Sequence, residues 1–168
     1  MKKGFTMIEL IFVIVILGIL AAVAIPRLAA TRDDAEVSKA ATNLTTIASD
    51  IGSYYTGQGR LAPNITDMTN VQIAGNGLQG TLTVAGENCF TLTLTPAVTT
   101  VGAQMPARLQ VANVVNPTRN ACIAAQANPS ITRMVNATFS YSTIDAQGVA
   151  TSHDDGVGIA ISGTGVVF

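Results

Sequence analysis

Residue types that commonly carry out chemistry are sparse in this 168-residue chain, which has a single histidine. His153 precedes Asp154 and Asp155 in the stretch TSHDDGVG. A hydrolase that uses histidine and aspartate also needs an activated serine, and the chain has no G-x-S-x-G elbow or similar motif. We therefore interpret this stretch as a polar turn before the last strand, and we predict that the protein is not an enzyme.

A second candidate motif is GNGLQG, which covers Gly75–Gly80 and matches the pattern G-x-G-x-x-G. In a dinucleotide-binding protein this motif follows a strand and opens a helix. Here it leads into TLTV, a strand-like sequence. We therefore predict a flexible turn and no cofactor.

The two cysteines, Cys89 and Cys122, fit one disulfide if the domain is exported to an oxidising compartment. The alternative is a pair of unpaired core thiols. Neither cysteine lies in a C-x-x-C motif or has a histidine at metal-ligand spacing, so the sequence does not predict a zinc site. A disulfide here would close a loop of roughly 34 residues and contribute about 3–4 kcal/mol in the chain-entropy model.

Glu9 stands beside Leu10–Ile25, a run of 16 residues without a charge, and Lys2 and Lys3 lie upstream. The run is slightly longer than the apolar region of a secretory signal and shorter than a typical membrane-spanning helix, so its length does not decide between them. The lysines keep the N-terminus in the cytoplasm. One interpretation is a signal peptide that is cleaved after Ala24, and the other is a helix retained in the mature protein.

Three features favour retention of the helix. Glu9 is costly inside a disposable apolar segment. The helical pattern continues beyond Pro26. Proline lacks an N–H, so we predict a kink at Pro26, and Gly18 weakens the helix further upstream. Apolar residues then recur every three or four positions, which predicts one face of an amphipathic helix: Val37, Ala41, Leu44, Ala48, Ile51 and Tyr55.

The sequence GFTMIELIFVIVILGILAAVAIP, at Gly4–Pro26, resembles the N-terminal segment of type IV pilins and of the pseudopilins of type II secretion and DNA-uptake systems. This resemblance implies that a prepilin peptidase cleaves between Gly4 and Phe5 and that Phe5 is N-methylated. Glu9 matches the glutamate of the family, which implies a role in setting the register of packed subunits.

The resemblance also implies partners and a location. The partners are other pilin or pseudopilin subunits in a filament, with an assembly ATPase and a platform protein acting indirectly. The protein is expected in the bacterial inner membrane, with a cytoplasmic N-terminus and a periplasmic C-terminal domain, and later in a filament. By this resemblance, Gly18 to Pro26 would stretch or melt in that filament; the alternative for Gly18 is close packing between neighbouring helices. By analogy with some major pseudopilins, Asp154 and Asp155 form a candidate calcium site, although two carboxylates are fewer than the six or more oxygens that calcium takes.

The rest of the chain predicts an α+β, pilin-like domain in which the long helix packs on an antiparallel sheet. The helix is expected to end near residue 56, before Gly57 and Gly59. A hairpin is predicted around the loop GEN, with further strands in RLQVANVV, ATFSYST and VGIAIS. A short helix carrying Cys122 is predicted at Asn116–Gln126, with the asparagine as its cap.

These patterns divide the chain into a leader at 1–4, a hydrophobic assembly helix at 5–26 and an exported domain at 27–168. The composition is 48% hydrophobic and only 11% charged, without the basic patch typical of nucleic-acid binding. We predict a structural filament subunit. The first alternative is a secreted binding module released by cleavage after Ala24, and the second is a periplasmic enzyme.

Overall fold

The computed structural model describes residues 4–161, so the leader lysines at 2 and 3 and the last seven residues lie outside the described part. Within it, one long α-helix, two short α-helices and a single 3-10 turn at Ile65–Asp67 accompany seven strands, which confirms the predicted α+β fold. The helices are α1 (Met7–Gln58), α2 (Asn120–Gln126) and α3 (Pro129–Val135); the strands are β1 (Ala74–Asn76), β2 (Gln79–Val84), β3 (Glu87–Thr95), β4 (Arg108–Asn113), β5 (Thr138–Ile144), β6 (Ala150–Val157) and β7 (Ile159–Ala160).

Helix α1 is continuous over 52 residues and includes Pro26. It ends at Gln58, two residues later than predicted and beyond Gly57, because the stop is at Gly59. Gly59 adopts the left-handed conformation with φ 67°, and its N–H donates to the Tyr55 carbonyl at 2.8 Å. The predicted apolar stripe is confirmed in the second half, where Val37, Leu44 and Ile51 are buried. Ala40 and Ile47 are also buried, so the stripe is wider than predicted.

The strands form an antiparallel five-stranded sheet in the order β1-β2-β3-β4-β7 and a separate β5–β6 pair. Register in the larger sheet places Leu92 of β3 opposite Val111 of β4. From Phe90 to Thr95 alternate residues of β3 are buried, which is the pattern of a sheet with one face on the core. The core lies between this face and the buried stripe of α1, with α2 and α3 closing it.

The predicted hairpin is present, but its loop is shorter than expected. Strand β2 ends at Val84 and β3 begins at Glu87, so Glu87 and Asn88 of the predicted loop GEN belong to the strand. The loop is Ala85–Gly86, with φ 51° and 83°. Two-residue loops with positive φ at both positions match the twist of the flanking strands. The predicted turn in GNGLQG is also a tight hairpin loop, between β1 and β2, and no helix follows it.

The predicted helix at Asn116–Gln126 begins four residues later than expected, at Asn120. Asn116 adopts φ 56°, which cannot be a helix cap of the predicted kind. The same Asn-Pro signal does start a helix further along, where Asn128 accepts a hydrogen bond from the Ser130 N–H at 2.9 Å and Pro129 follows it. That helix, α3, was missed in the sequence.

The polar turn predicted at His153, Asp154 and Asp155 is wrong, since all three residues lie in strand β6. Pairing with β5 is shifted by one residue, so both aspartates lie opposite Ser140 in a β-bulge. The predicted strand VGIAIS is divided by Gly158, at φ 108°, into the end of β6 and the short β7. Ser162, its last residue, lies outside the described residues.

Candidate functional site

The first half of α1 exposes its apolar side chains. Leu10 is 57% exposed, Ile25 is 66% exposed and Leu28 is 68% exposed. An 18-residue window of this helix has a mean hydropathy of 3.1, and none of it is buried against the rest of the protein. The helix is long and apolar enough to cross a membrane. An exposed apolar surface of this extent requires lipid or protein around it.

Glu9 lies at the start of this helix and forms a capping box with Thr6. Its carboxylate Oε2 accepts from the Thr6 backbone N–H at 2.8 Å and from the Thr6 hydroxyl at 2.7 Å. In return the Thr6 hydroxyl oxygen accepts from the Glu9 backbone N–H at 3.4 Å. This arrangement satisfies N–H groups that a helix start leaves without partners. The capping role of Thr6 was missed in the sequence, although the spacing T-x-x-E indicates it.

The residues at the predicted cleavage position are accessible. Phe5 precedes the helix and is 89% exposed, and a side chain at Gly4 would meet no atom within 4 Å. Gly18 likewise has open space around it. The helix passes through both Gly18 and Pro26 without a break in its assignment. The kink and the stretching segment predicted there stay predictions.

A comparison with protein families decides the nature of this segment. Residues 1–25 match the model of the prokaryotic N-terminal methylation motif. The chain carries a prepilin-type signal. This signal supports membership of the type IV pilin and pseudopilin family, and together with the apolar helix it fits a pilin anchored in the inner membrane. No curated protein and no solved structure matches the chain.

The cysteines are joined in a disulfide that links strand β3 to helix α2. The Cα atoms of Cys89 and Cys122 are 5.7 Å apart, and both residues are fully buried. The bond lies beside the amide of Gln126, which donates to the carbonyls of Cys89 and Val114 at 3.1 and 2.9 Å. The arrangement fixes α2 against the larger sheet.

Glu87 provides a second link between the same two elements. Its carboxylate accepts from the backbone N–H and the hydroxyl of Thr118, both at 2.8 Å, and from the Arg119 N–H at 2.9 Å. Hydrogen bonds from the Thr118 and Arg119 backbones lower the pKa of Glu87 below its ordinary value, with smaller contributions from the Thr118 hydroxyl and the Arg119 charge. The carboxylate of β3 thus holds the chain at the start of α2.

His153, which was first considered for catalysis, packs with Tyr141 and Thr143 on the β5–β6 pair. His153 Nε2 lies 3.0 Å from the Thr143 hydroxyl, and the imidazole stacks on Tyr141 with ring centroids 4.9 Å apart. Burial, followed by the nearby Asp155 carboxylate, raises the pKa of Tyr141. Within residues 4–161 no three metal-binding side chains come together, so the aspartate pair lacks further carboxylate or imidazole ligands in that range. The calcium site stays a prediction, since calcium takes six or more oxygen ligands.

A cavity of about 520 Å³ lies between the end of α1, the segment 97–106 and β5. Tyr55, Met105 and Tyr141 line it. Gln104 also contributes, but its amide is engaged with the backbone N–H and carbonyl of Ile144, both at 2.9 Å. The described lining therefore offers a mostly apolar surface and no nucleophile with an adjacent base.

Proposed function

We propose that this chain is a structural, non-enzymatic subunit of a type IV pilus-like filament, either a pilin or a pseudopilin. One observation carries the proposal: the prepilin-type signal at residues 1–25 runs without interruption into α1, which also supplies the core of the folded domain. The helix is apolar and exposed in its first half and buried along one stripe in its second. Such a helix fits a membrane first and a helical bundle later.

The proposed organisation follows from this division. A leader at residues 1–4 is removed, residues 5–26 hold the subunit in the inner membrane, and residues 27–168 form the periplasmic domain. Cleavage removes Lys2 and Lys3 and leaves an amine at Phe5, largely protonated at neutral pH before it is methylated. The α1 segments of neighbouring subunits then pack together along the filament.

The assembly step needs outside help. Apolar side chains that already lie in lipid gain little when they move into a helical bundle, because lipid tails are equally apolar. Packing and polar contacts must therefore provide the net affinity. We infer that an energy-coupled machine extracts the subunits, which is the task of an assembly ATPase and a platform protein. The prepilin peptidase acts before them.

The main alternative is a secreted binding module cleaved after Ala24. This cleavage would fall inside α1 and discard 18 of its 52 residues, Met7–Ala24. The exposed apolar segment would then have no role in the mature protein. Neither the geometry of the β5–β6 cluster nor the cavity favours this alternative or a periplasmic enzyme.

The N-terminus of the mature protein distinguishes the filament subunit from the secreted binding module. We expect mass spectrometry of protein from the native membrane to show a chain that begins at Phe5 with one added methyl group. A chain that begins at Ile25 would support the secreted module and overturn the filament proposal. Protein expressed without the prepilin peptidase is the control, and it should retain residues 1–4.

A further inference from the structure

The charge-free part of α1 is short for a membrane-spanning helix. Glu9 bounds it on one side and Arg27 on the other. The apolar run Leu10–Ile25 rises about 24 Å, and the Cα atoms of Glu9 and Arg27 are separated by about 27 Å along the axis at 1.5 Å per residue. The hydrocarbon core of an ordinary bilayer is about 30 Å thick. The run therefore falls short by about 3–6 Å.

Arg27 defines the outer end of this run. Residues on both sides of it in sequence, Ile25 and Leu28, are 66% and 68% exposed, so the arginine interrupts an apolar surface. Within residues 4–161 the guanidinium has no hydrogen bond or ion pair. An arginine without a protein partner at this depth reaches towards lipid phosphates at the membrane surface.

Pro26 also favours a membrane boundary at the level of Arg27. Its nitrogen carries no hydrogen, so it cannot donate to the carbonyl of Ala22 one turn earlier. A carbonyl without its helical partner is costly in hydrocarbon and less costly close to water. A membrane surface at the level of Arg27 places this carbonyl about one turn, or roughly 6 Å, from the headgroups.

We propose that α1 is matched to a bilayer thinner than average, with Arg27 setting the outer boundary, and that the mismatch in ordinary membranes gathers unassembled subunits. A helix that is too short for its bilayer thins the lipid around it, and association of several copies reduces the perimeter that must be thinned. The partner of the exposed apolar half of α1 is therefore a thin lipid bilayer, and copies of the chain associate where the bilayer is thicker. The proposal rests on the proposed function only in requiring that α1 enters a membrane.

The experiment measures self-association as a function of bilayer thickness. Full-length protein carrying Thr100→Cys on the exposed segment is labelled with donor or acceptor dyes and reconstituted in phosphatidylcholine vesicles, from dimyristoleoyl to dierucoyl chains. We expect energy transfer to be about twofold or more higher in the thickest bilayer than in the thinnest. Flotation of the vesicles reports insertion separately.

Arg27→Leu is the informative variant, since it extends the uninterrupted apolar run from Ile25 to Ala30 and adds about 7.5 Å. It should move the onset of association to a bilayer about 7.5 Å thicker. Arg32→Leu is the matched control, because it removes the same charge and leaves Arg27 in place, and it should behave like the wild type. Equal energy transfer at every thickness, or identical curves for Arg27→Leu and the wild type, would overturn this inference alone. Protein that does not float with the vesicles would overturn the membrane location as well.

Discussion

At the scale of single residues, Glu9 has one role in the single chain, which the structure shows, and a second role in the filament, which belongs to the proposed function. In the single chain its carboxylate caps the helix start through Thr6, since Oε2 accepts from the Thr6 hydroxyl at 2.7 Å and from the Thr6 N–H at 2.8 Å. In a filament it would meet the Phe5 amine of a neighbouring subunit. A lone charge in a dry bundle costs several kcal/mol, so such a pair penalises wrong registers more than it adds affinity.

The first prediction concerns Glu9→Val. The change should leave cleavage at Gly4 intact, while the yield of filaments or of co-assembly with wild-type subunits falls strongly. Electron microscopy and shearing of filaments measure the yield, and mass spectrometry measures cleavage. Thr6→Val provides the control, because it removes the capping side chain but keeps the carboxylate. A normal filament yield from Glu9→Val would refute the register role.

Glu87 gives the second prediction, on pH dependence. Its pKa is lowered in the folded protein, so its carboxylate stabilises the fold above the ordinary value of 4.5, and this contribution is lost as the pH falls through the lowered pKa. Glu87→Gln should therefore lower the Tm at neutral pH, and the gap to the wild type should close in acid. Asp154→Asn, at a carboxylate without a hydrogen bond in the described residues, is the control and should change the Tm little. A constant gap at all pH values would contradict the assignment.

At the scale of elements, two glycines provide opposite tests of packing. Gly156 of β6 lies against the ring of Phe139, so a Cβ atom there would approach ring atoms at 2.6 and 2.7 Å and the Phe139 carbonyl at 2.5 Å. Gly52 of α1 has no atom within 4 Å of such a position. A glycine inside a helix costs about 0.5–1 kcal/mol relative to alanine.

The third prediction follows from this contrast. Gly156→Ala should destabilise the protein by about 1–3 kcal/mol through overpacking, and Gly52→Ala should stabilise it by about 0.5–1 kcal/mol. Thermal unfolding of the full chain in detergent, followed by circular dichroism, measures both. If Gly156→Ala has the Tm of the wild type, the close packing between β5 and β6 is not present in solution.

At the scale of the whole molecule, α1 has an exposed apolar first half and a second half that packs in the core. The disulfide fixes the domain that is built on this second half. Helix α2 is only seven residues long and packs against α1, so its position depends on tertiary contacts rather than on its own helical propensity. Cys122 in α2 and Cys89 in β3 join it covalently to the sheet.

The fourth prediction is that replacing both cysteines by alanine lowers the free energy of unfolding by about 3–4 kcal/mol, the chain-entropy value for a sequence separation of 33. Denaturant titration of the full chain measures the change. The native protein should also resist reduction until it unfolds, because both sulfur-bearing residues are fully buried. Rapid reduction at temperatures well below the Tm would contradict the buried position.

The sequence by itself determined the features that depend on neighbouring residues. The apolar run before Pro26, the stripe at Val37, Leu44 and Ile51, and the stop at Gly59 follow from local periodicity and backbone preference. The hairpin of β2 and β3 follows from alternation. The prepilin-type signal is also a local pattern, which is why it could be identified from residues 1–25 alone.

Only the tertiary structure decided the features that depend on distant residues. The start of α2 was predicted incorrectly because Glu87, 31 positions away, holds Thr118. The strand at His153 was missed because its polar residues pair with β5 through a bulge and not through an alternating apolar pattern. Local preferences are weak compared with such long-range contacts, and a single sequence does not show which distant partners meet.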